Sequence, residues 1–571
     1  MAAVAVNGCV KSVEIDSTEK LHECNGKEGK LNGKLREHKN GFVKSTNINN
    51  GVALQAAPWD GEGDIPRMDW SQYDTFPGSF EKCTLLTAVL THIGLYILMF
   101  LGFVNQLLFK PNAATEKNRE GYAPLYDPFE QFFSRYVYRR VRHCFNRPIS
   151  SAPGAELTLK ERESTDRNWT FRLTGAERRC INLGSYNYLG FAEGAGSVTE
   201  AAVSSAVRRY GLALGSARAE LGSTPLHLEL ERATARFLGV EAAVVFGMGF
   251  ATNSLSLPGL FGPGTLVLSD ENNHASLILG LRLARVTVRV FRHNDVRHAE
   301  RLARAAIREG KWDNIVLVVE GVYSMEGSVA PLAALVALKR RLGLRLYLDE
   351  AHSVGAMGPR GRGVTDHAAV PPHHVDVLMG TFTKSFGAAG GYIAGSAALV
   401  ARVRRCGHAH SYAHAMAPAV CAQVLAAMRA LDTPLGAARV HALRRNARYF
   451  RHRLREMGVV TFGHPDSPVV PMLVYTFSKM AATVERLTAR GVATVGVGFP
   501  ATPLNKARIR FCLSASHSLE QLDRCVEAIR AVVDELGLRY SRLPPPPPPP
   551  PHRTAPRPAP HPAPHAAPDA L

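Results

Sequence analysis

Lys384 lies in the stretch Gly380-Thr381-Phe382-Thr383-Lys384-Ser385-Phe386-Gly387, between two small hydroxyl residues and just ahead of the small-residue run 387–391. The apolar run Val375 to Met379 before it predicts a buried strand that delivers the lysine to the edge of a sheet. An amine in such a tight, weakly charged turn is poorly solvated, so its pKa falls and it becomes a usable nucleophile toward aldehydes. About 35 residues upstream, Leu344-Arg345-Leu346-Tyr347-Leu348-Asp349 alternates as a strand does and ends on a carboxylate, followed by Glu350-Ala351-His352. The letters Asp349 to His352 also spell the DEAH box of a class of helicases. That chemistry needs a phosphate-binding G-x-x-x-x-G-K-[ST] loop upstream. Gly310-Lys311 is followed by Trp312, and no other segment fits, so the helicase reading fails.

A strand-end aspartate followed by a lysine at the next strand end suits pyridoxal phosphate. The lysine forms the Schiff base, and the aspartate keeps the pyridine nitrogen protonated so that the ring accepts electrons. His352, one turn beyond Asp349, reaches toward the ring hydroxyl. Leu266 to Asp270 predicts another strand, leading to His274, which is placed to stack on the ring. Phe246 to Asn253 carries two glycines ahead of a predicted helix, letting backbone amides approach a phosphate. A solvated lysine, a structural histidine or a plain glycine turn explains each segment alone. Four strand ends in this order point to one site.

Phe246 to Asn253, Ser269 to Ser276, Glu320 to Gly327, Asp349 to Gly355 and Thr381 to Gly391 resemble the α-oxoamine synthases. Val497 to Pro503 and Arg508 to His517 are similar, more narrowly, to the lysine-bearing long-chain base subunit, type 2 or 3, of eukaryotic serine palmitoyltransferase. The resemblance runs from about Tyr122 to about Arg542. It implies an α/β fold-type-I pyridoxal-phosphate transferase with a mostly parallel large domain, a small C-terminal α+β domain and an N-terminal membrane helix. The implied reaction joins L-serine to palmitoyl-CoA with loss of carbon dioxide, giving 3-ketodihydrosphingosine, the first step of sphingolipid biosynthesis. By the same resemblance Lys384 is Schiff-base lysine and proton carrier, and Asp349 partners the pyridine nitrogen. His352 and Ser324 face the ring oxygen, His274 stacks on the ring, and Thr381, Thr383, Gly249 and Phe250 hold the phosphate. Arg510 would receive the amino-acid carboxylate as a bidentate partner. Arg508 is expected on the other strand face, as a surface or structural residue. Gly211 to Arg218 and Met416 to Ala419 depart from the family pattern in regions implied to lie near the subunit interface and acyl site. Implied partners are a lysine-less subunit in a heterodimer, small activating membrane subunits and ORM-like regulators, at an endoplasmic reticulum membrane. Two rival readings are a related synthase using glycine or alanine and a non-catalytic membrane scaffold.

The elements that must position these groups follow from patterning. At 571 residues and 46% hydrophobic content the chain can bury a large two-part core. Strands alternate with helices over 181–434, as in a parallel sheet covered on both faces, and shorter units follow over 435–542 with a helix predicted at Leu522 to Leu536. The net charge of +19 is spread over scattered arginines, without the basic stripe and stacking aromatics of nucleic-acid binding, so no nucleic-acid partner is expected. It suits anionic lipid or the phosphates of coenzyme A. Nine cysteines without a C-x-x-C pair read as reduced, cytosol-facing thiols, and no metal site is expected. Residues 1–60 are polar and predicted to be disordered, with no signal-peptide pattern. Cys83 to Phe109 carries no Lys, Arg, Asp or Glu over about 27 residues, enough to span a bilayer, to lie in its interface or to form a buried core helix. Flanking lysines and arginines favour a cytosolic C-terminal enzyme. Residues 110–180 read as a linker plus an amphipathic segment, in which Tyr122 to Pro148 faces a membrane, a partner or the enzyme body. Residues 543–571, opening on eight consecutive prolines, read as an unpacked tail, either a ligand for proline-binding modules or an inert extension.

Overall fold

The structure is a computed structural model, and it describes residues 80–81, 84–108 and 132–546 apart from 195 and 504. The expectations for 1–60, for 110–131 and for the tail beyond 546 lie outside the described residues. Thirteen strands occur among those described: β1 (Glu156–Glu163), β2 (Arg172–Asn182), β3 (Ala242–Phe246), β4 (Thr265–Asp270), β5 (Thr287–Phe291), β6 (Asn314–Glu320), β7 (Arg345–Asp349), β8 (Val377–Thr381), β9 (Gly391–Gly395), β10 (Val469–Tyr475), β11 (Val492–Ala493), β12 (Val495–Val497) and β13 (Ala507–Cys512).

Seven of them form the central sheet in the order β3-β9-β8-β7-β6-β4-β5. β9 alone runs antiparallel to both neighbours, and the other adjacent pairs are parallel. The strands are nearly continuous apolar runs because helices cover both faces. Leu266, Leu268, Leu317 and Leu346 enter one core, whereas Val267, Val316, Val318 and Tyr347 enter a second core on the opposite face. Period-2 alternation thus fills two cores from each strand. Parallelism has a second consequence: the carboxyl ends of β3, β4, β6, β7 and β8 emerge along one sheet edge, where open α/β sheets bind ligands.

β10, β13 and β12 make a smaller antiparallel sheet, backed by the helix Leu519–Leu536, whose start is fixed by a Ser518–Gln521 capping box. Within the stretch read as linker, β1 and β2 pair as a hairpin, and β2 adds in parallel to β11, hooking this segment onto the small domain. The described part of the aromatic segment packs on the enzyme body. Phe133, Val137 and Val141 are buried, and the Phe133 ring meets Phe477 and Phe499 edge-on at 5.8 and 4.9 Å.

The apolar segment forms one helix, Leu85–Leu108, long and apolar enough to cross a membrane. Its large side chains point outward: Leu90, Ile93, Ile97, Phe100, Leu101 and Phe103 are all exposed. A buried core helix is therefore excluded. It touches the body at Gly102, where an added Cβ would stand 2.8 Å from Tyr136 Cβ.

Candidate active site

The five parallel strand ends converge on a cavity of about 300 Å³, walled by Gly249, His274, Glu320, Asp349, His352 and Lys384 among others. Asp349 is the last residue of β7 and is buried. Its Oδ2 accepts from Asn253 Nδ2 at 2.8 Å and its Oδ1 from the Ala351 amide at 2.9 Å. Asn253 is itself aimed by Tyr347, whose hydroxyl donates to Asn253 Oδ1 at 2.7 Å. His352 lies in the turn after β7, with Nδ1 2.7 Å from the Tyr188 hydroxyl. Burial first, then the nearby Lys384 and Arg510, holds this imidazole well below its usual pKa, so it is neutral.

Lys384 follows β8 and reaches the cavity from its mouth, partly open to solvent but surrounded by protein atoms. Burial pushes its amine down to about 8, although Asp349 and Glu320 pull the other way. Glu320, at the end of β6, is raised well above its usual value, by burial first and then by Asp349. His274 caps the helix Ala275–Leu283, its Nδ1 accepting from the Ser276 amide, and its exposed ring stands at the cavity mouth, 5.9 Å from the Phe250 ring. On the opposite wall an added Cβ at Gly249 would meet Thr381 Oγ1 at 2.7 Å. That oxygen is held 2.8 Å from Thr383 Oγ1 and donates to the Gly390 carbonyl at 2.8 Å. Glycine is required there, and the space beside two hydroxyls is kept open.

Arg510 enters from β13 of the small domain. Its guanidinium carbon lies 4.6 Å from the centre of the Tyr186 ring, and Lys384 Nζ lies 5.6 Å from the same ring. Arg510 is 7% exposed, its Nε has no partner, and no carboxylate pairs with it among the described residues. Arg508 differs: its Nη1 donates to the Met325 carbonyl at 2.8 Å and to Glu326 Oε1 at 3.1 Å. The expectation that the two occupy opposite faces is corrected, since residues two apart on a strand share a face. Both are buried, and what separates them is pairing.

Comparison with known proteins points the same way. Residues 178–529 match the family model of class I and II aminotransferases. Human serine palmitoyltransferase 3 is 45% identical over 532 residues, covering 90% of this chain and 95% of its own length. Serine palmitoyltransferase 2 of Dictyostelium discoideum is 43% identical over 434 residues, covering 74% and 88%. The chain belongs to the serine palmitoyltransferase family. Among solved members of that family, an SPT with a PLP internal aldimine is 26% identical, with a TM-score of 0.63, covering 72% of this chain and all of its own. The Sphingomonas wittichii serine palmitoyltransferase gives the same identity and score over 72% and 99%. The fold-type-I transferase architecture expected from the sequence is thereby established.

Lys384, Asp349, His352, His274, Gly249, Phe250, Thr381 and Thr383 all line one cavity. Arg510 joins them through Tyr186. Ser324 is buried in the turn after β6 and is not among the cavity-lining residues. Sequence reasoning passed over Asn253 and Glu320, each inside a quoted motif. It also missed Tyr186 and Tyr188, which lie in the loop after β2 and carry no strand-end signature. The site offers a buried carboxylate, a lysine of lowered pKa and a hydroxyl-lined gap kept open by a glycine, which fits a phosphorylated pyridine aldehyde.

Proposed function

We propose that this chain is the catalytic long-chain base subunit of serine palmitoyltransferase, a pyridoxal-phosphate-dependent acyltransferase that condenses L-serine with palmitoyl-CoA to 3-ketodihydrosphingosine. The observation that carries the reading is the pair of cations sharing the Tyr186 ring: a lowered-pKa lysine and a buried, unpaired arginine. An α-amino acid presents an amine and a carboxylate a few ångströms apart, and these two groups answer them. When bound, the cofactor supplies the electron sink that lets the bond to the serine α-proton break.

The residues of the chain do the rest. Lys384 would hold the cofactor through its amine, and the same amine, once free, is placed to take the serine α-proton and to return one. Asp349, fixed by Asn253 and the Ala351 amide, would pair with the pyridine nitrogen and keep it protonated. Thr381, Thr383 and the backbone at Gly249 and Phe250 would hold the phosphate, and His274 would stack on the ring. His352 stands toward the ring oxygen; Ser324 is assigned there by resemblance alone. Arg510 binds the serine carboxylate, and in a buried site that charge-assisted pair orients the bond that later loses carbon dioxide.

The catalytic body divides into a cofactor domain, 181–434, and a small domain, 435–542. Leu85–Leu108 anchors it in the endoplasmic reticulum membrane with the enzyme facing the cytosol, where an acyl thioester arrives. A lysine-less partner subunit, small activating membrane subunits and ORM-like regulators complete the assembly. Two measurements test this. A visible band from bound cofactor should be present in the wild type and absent from Lys384→Ala; no band in cofactor-supplied wild type would leave the scaffold reading standing. In competition with palmitoyl-CoA, labelled serine should outrun glycine and alanine, and equal use of glycine would overturn the serine assignment.

A further inference from the structure

One buried polar line is not used by the reaction as described. Asp270, at the end of β4, is 1% exposed, and its Oδ1 accepts from His293 Nδ1 at 2.9 Å. His293 Nε2 lies 2.7 Å from the hydroxyl of Ser328, which is fully buried. Serine, histidine and aspartate in this order are the parts of a hydrolytic triad. Here no substrate reaches the hydroxyl, so nucleophilic use is excluded and a mechanical one is left.

The line joins two loops, one leading to His274 in the cavity wall and the other packed on Arg510. At one end Asp270 Oδ1 also accepts from the Asn272 amide and its carbonyl from the Asn273 amide, which shapes the turn leading to His274. Asp270 Oδ2 accepts from the Asn294 amide, so the carboxylate is fully engaged. At the other end Ser328 closes the turn 323–328, its carbonyl accepting from the Tyr323 amide at 3.0 Å. At the middle of that turn is Met325, whose sulfur lies 3.6 Å from Arg510 Nη1. Arg510 has no carboxylate to fix it, so its position depends on what packs around it. A second cluster, His367, His464 and Asp466, brings metal-ligand types together. Its carboxylate is already held by Arg444 and Arg448, and this positive surrounding suits an ion-pair junction rather than a cation site.

We propose that Asp270, His293 and Ser328 are positioning residues that lock the 323–328 turn and, through Met325, set the Arg510 guanidinium for the amino-acid carboxylate. This rests on the serine-binding role of Arg510 given above. The geometry dictates which link to cut: Ser328→Ala removes one hydroxyl without adding volume and leaves the Asp270–His293 bond in place.

The test uses the full chain, cofactor-loaded and co-purified with its partner subunit. In Ser328→Ala the serine KM and the serine concentration that half-saturates the cofactor's spectral change should both rise about tenfold, the worth of one buried hydrogen bond. The palmitoyl-CoA KM and the cofactor content should stay as in wild type. Serine affinity within twofold of wild type would overturn the proposal, and so would equal weakening toward both substrates with loss of cofactor, the mark of general damage. Hydrogen exchange gives a readout independent of turnover. Amides of 324–327 should exchange faster in Ser328→Ala while β6 and β7 keep their protection, and unchanged exchange would overturn the proposal. A wild type that shows no spectral response to serine would instead refute the serine reading, leaving the exchange comparison to decide the mechanical one.

Discussion

The cavity at the sheet edge and the helix Leu85–Leu108 break the ordinary rule of burial in opposite senses. The cavity hides charged and polar groups, with Asp349, Glu320 and His352 buried and Arg510 unpaired. The helix displays apolar ones, with Leu, Ile and Phe side chains turned outward along 24 residues. Each arrangement costs free energy in the isolated chain in water, and each is relieved by a different addition: a charged ligand in the first case, a lipid environment in the second. The two should therefore be separable by mutation.

The largest effect expected is at the cavity. Lys384→Ala should lower condensation by roughly 10³-fold or more while the protein keeps its membrane association and its melting behaviour. Loss of membrane association in that variant would show the two regions to be coupled. Next comes Arg510→Ala, which should raise the serine KM by about 100-fold, the worth of a charge-assisted bidentate contact. Arg508→Ala should instead cost about 3 kcal/mol in a denaturation series, because Glu326 loses its buried partner, and since Arg508 also holds the Met325 carbonyl the serine KM should rise, but by far less than in Arg510→Ala. Similar kinetics in the two arginine variants would remove the distinction drawn from their pairing. On the helix, Ile97→Arg with Leu101→Arg should each cost about 2.5–3.5 kcal/mol of insertion and shift the protein out of the membrane fraction. The cofactor band should be unchanged.

The smallest effect is a pH dependence. The folded amine of Lys384 sits near 8, below its unfolded value of 10.5. Only the neutral amine attacks an aldehyde, so cofactor attachment to the stripped protein should rise about tenfold from pH 6 to 7, then level off above pH 8. Stopped-flow absorbance checks this, and a rate still climbing tenfold per unit at pH 9 would mean that burial does not lower the amine. The same shift makes the charged lysine a destabilising group below pH 8. That penalty fades as pH rises from 8 toward 10.5, because there the unfolded chain binds the extra proton.

Much of this is legible in the sequence. The strand expected at Val375 to Met379 appears as Val377–Thr381, and the helix expected from Leu522 begins at Leu519, where Ser518 caps it. These elements announce themselves because both faces of each strand, or one face of the helix, must be apolar. The β1–β2 hairpin did not: Arg172 to Arg179 is exposed on both faces, so alternation leaves no trace in residue type. Arg508 and Arg510 have identical chemistry in sequence. Their difference comes from Glu326, 182 positions away from Arg508, a contact that local pattern cannot carry.

By itself the sequence determined the chemistry available: a lysine and an aspartate at successive strand ends, a histidine before a helix, a glycine before two threonines, and a lipid-length apolar run. Those are local properties, set by period and by turn composition. Only the tertiary structure decided that Tyr186 brings Lys384 and Arg510 onto one ring, that Asn253 aims Asp349, and that a sealed Ser–His–Asp line braces a turn. Such contacts join residues up to several hundred positions apart, and they exist because parallel strands bring their carboxyl ends to one edge whatever the length of chain between them.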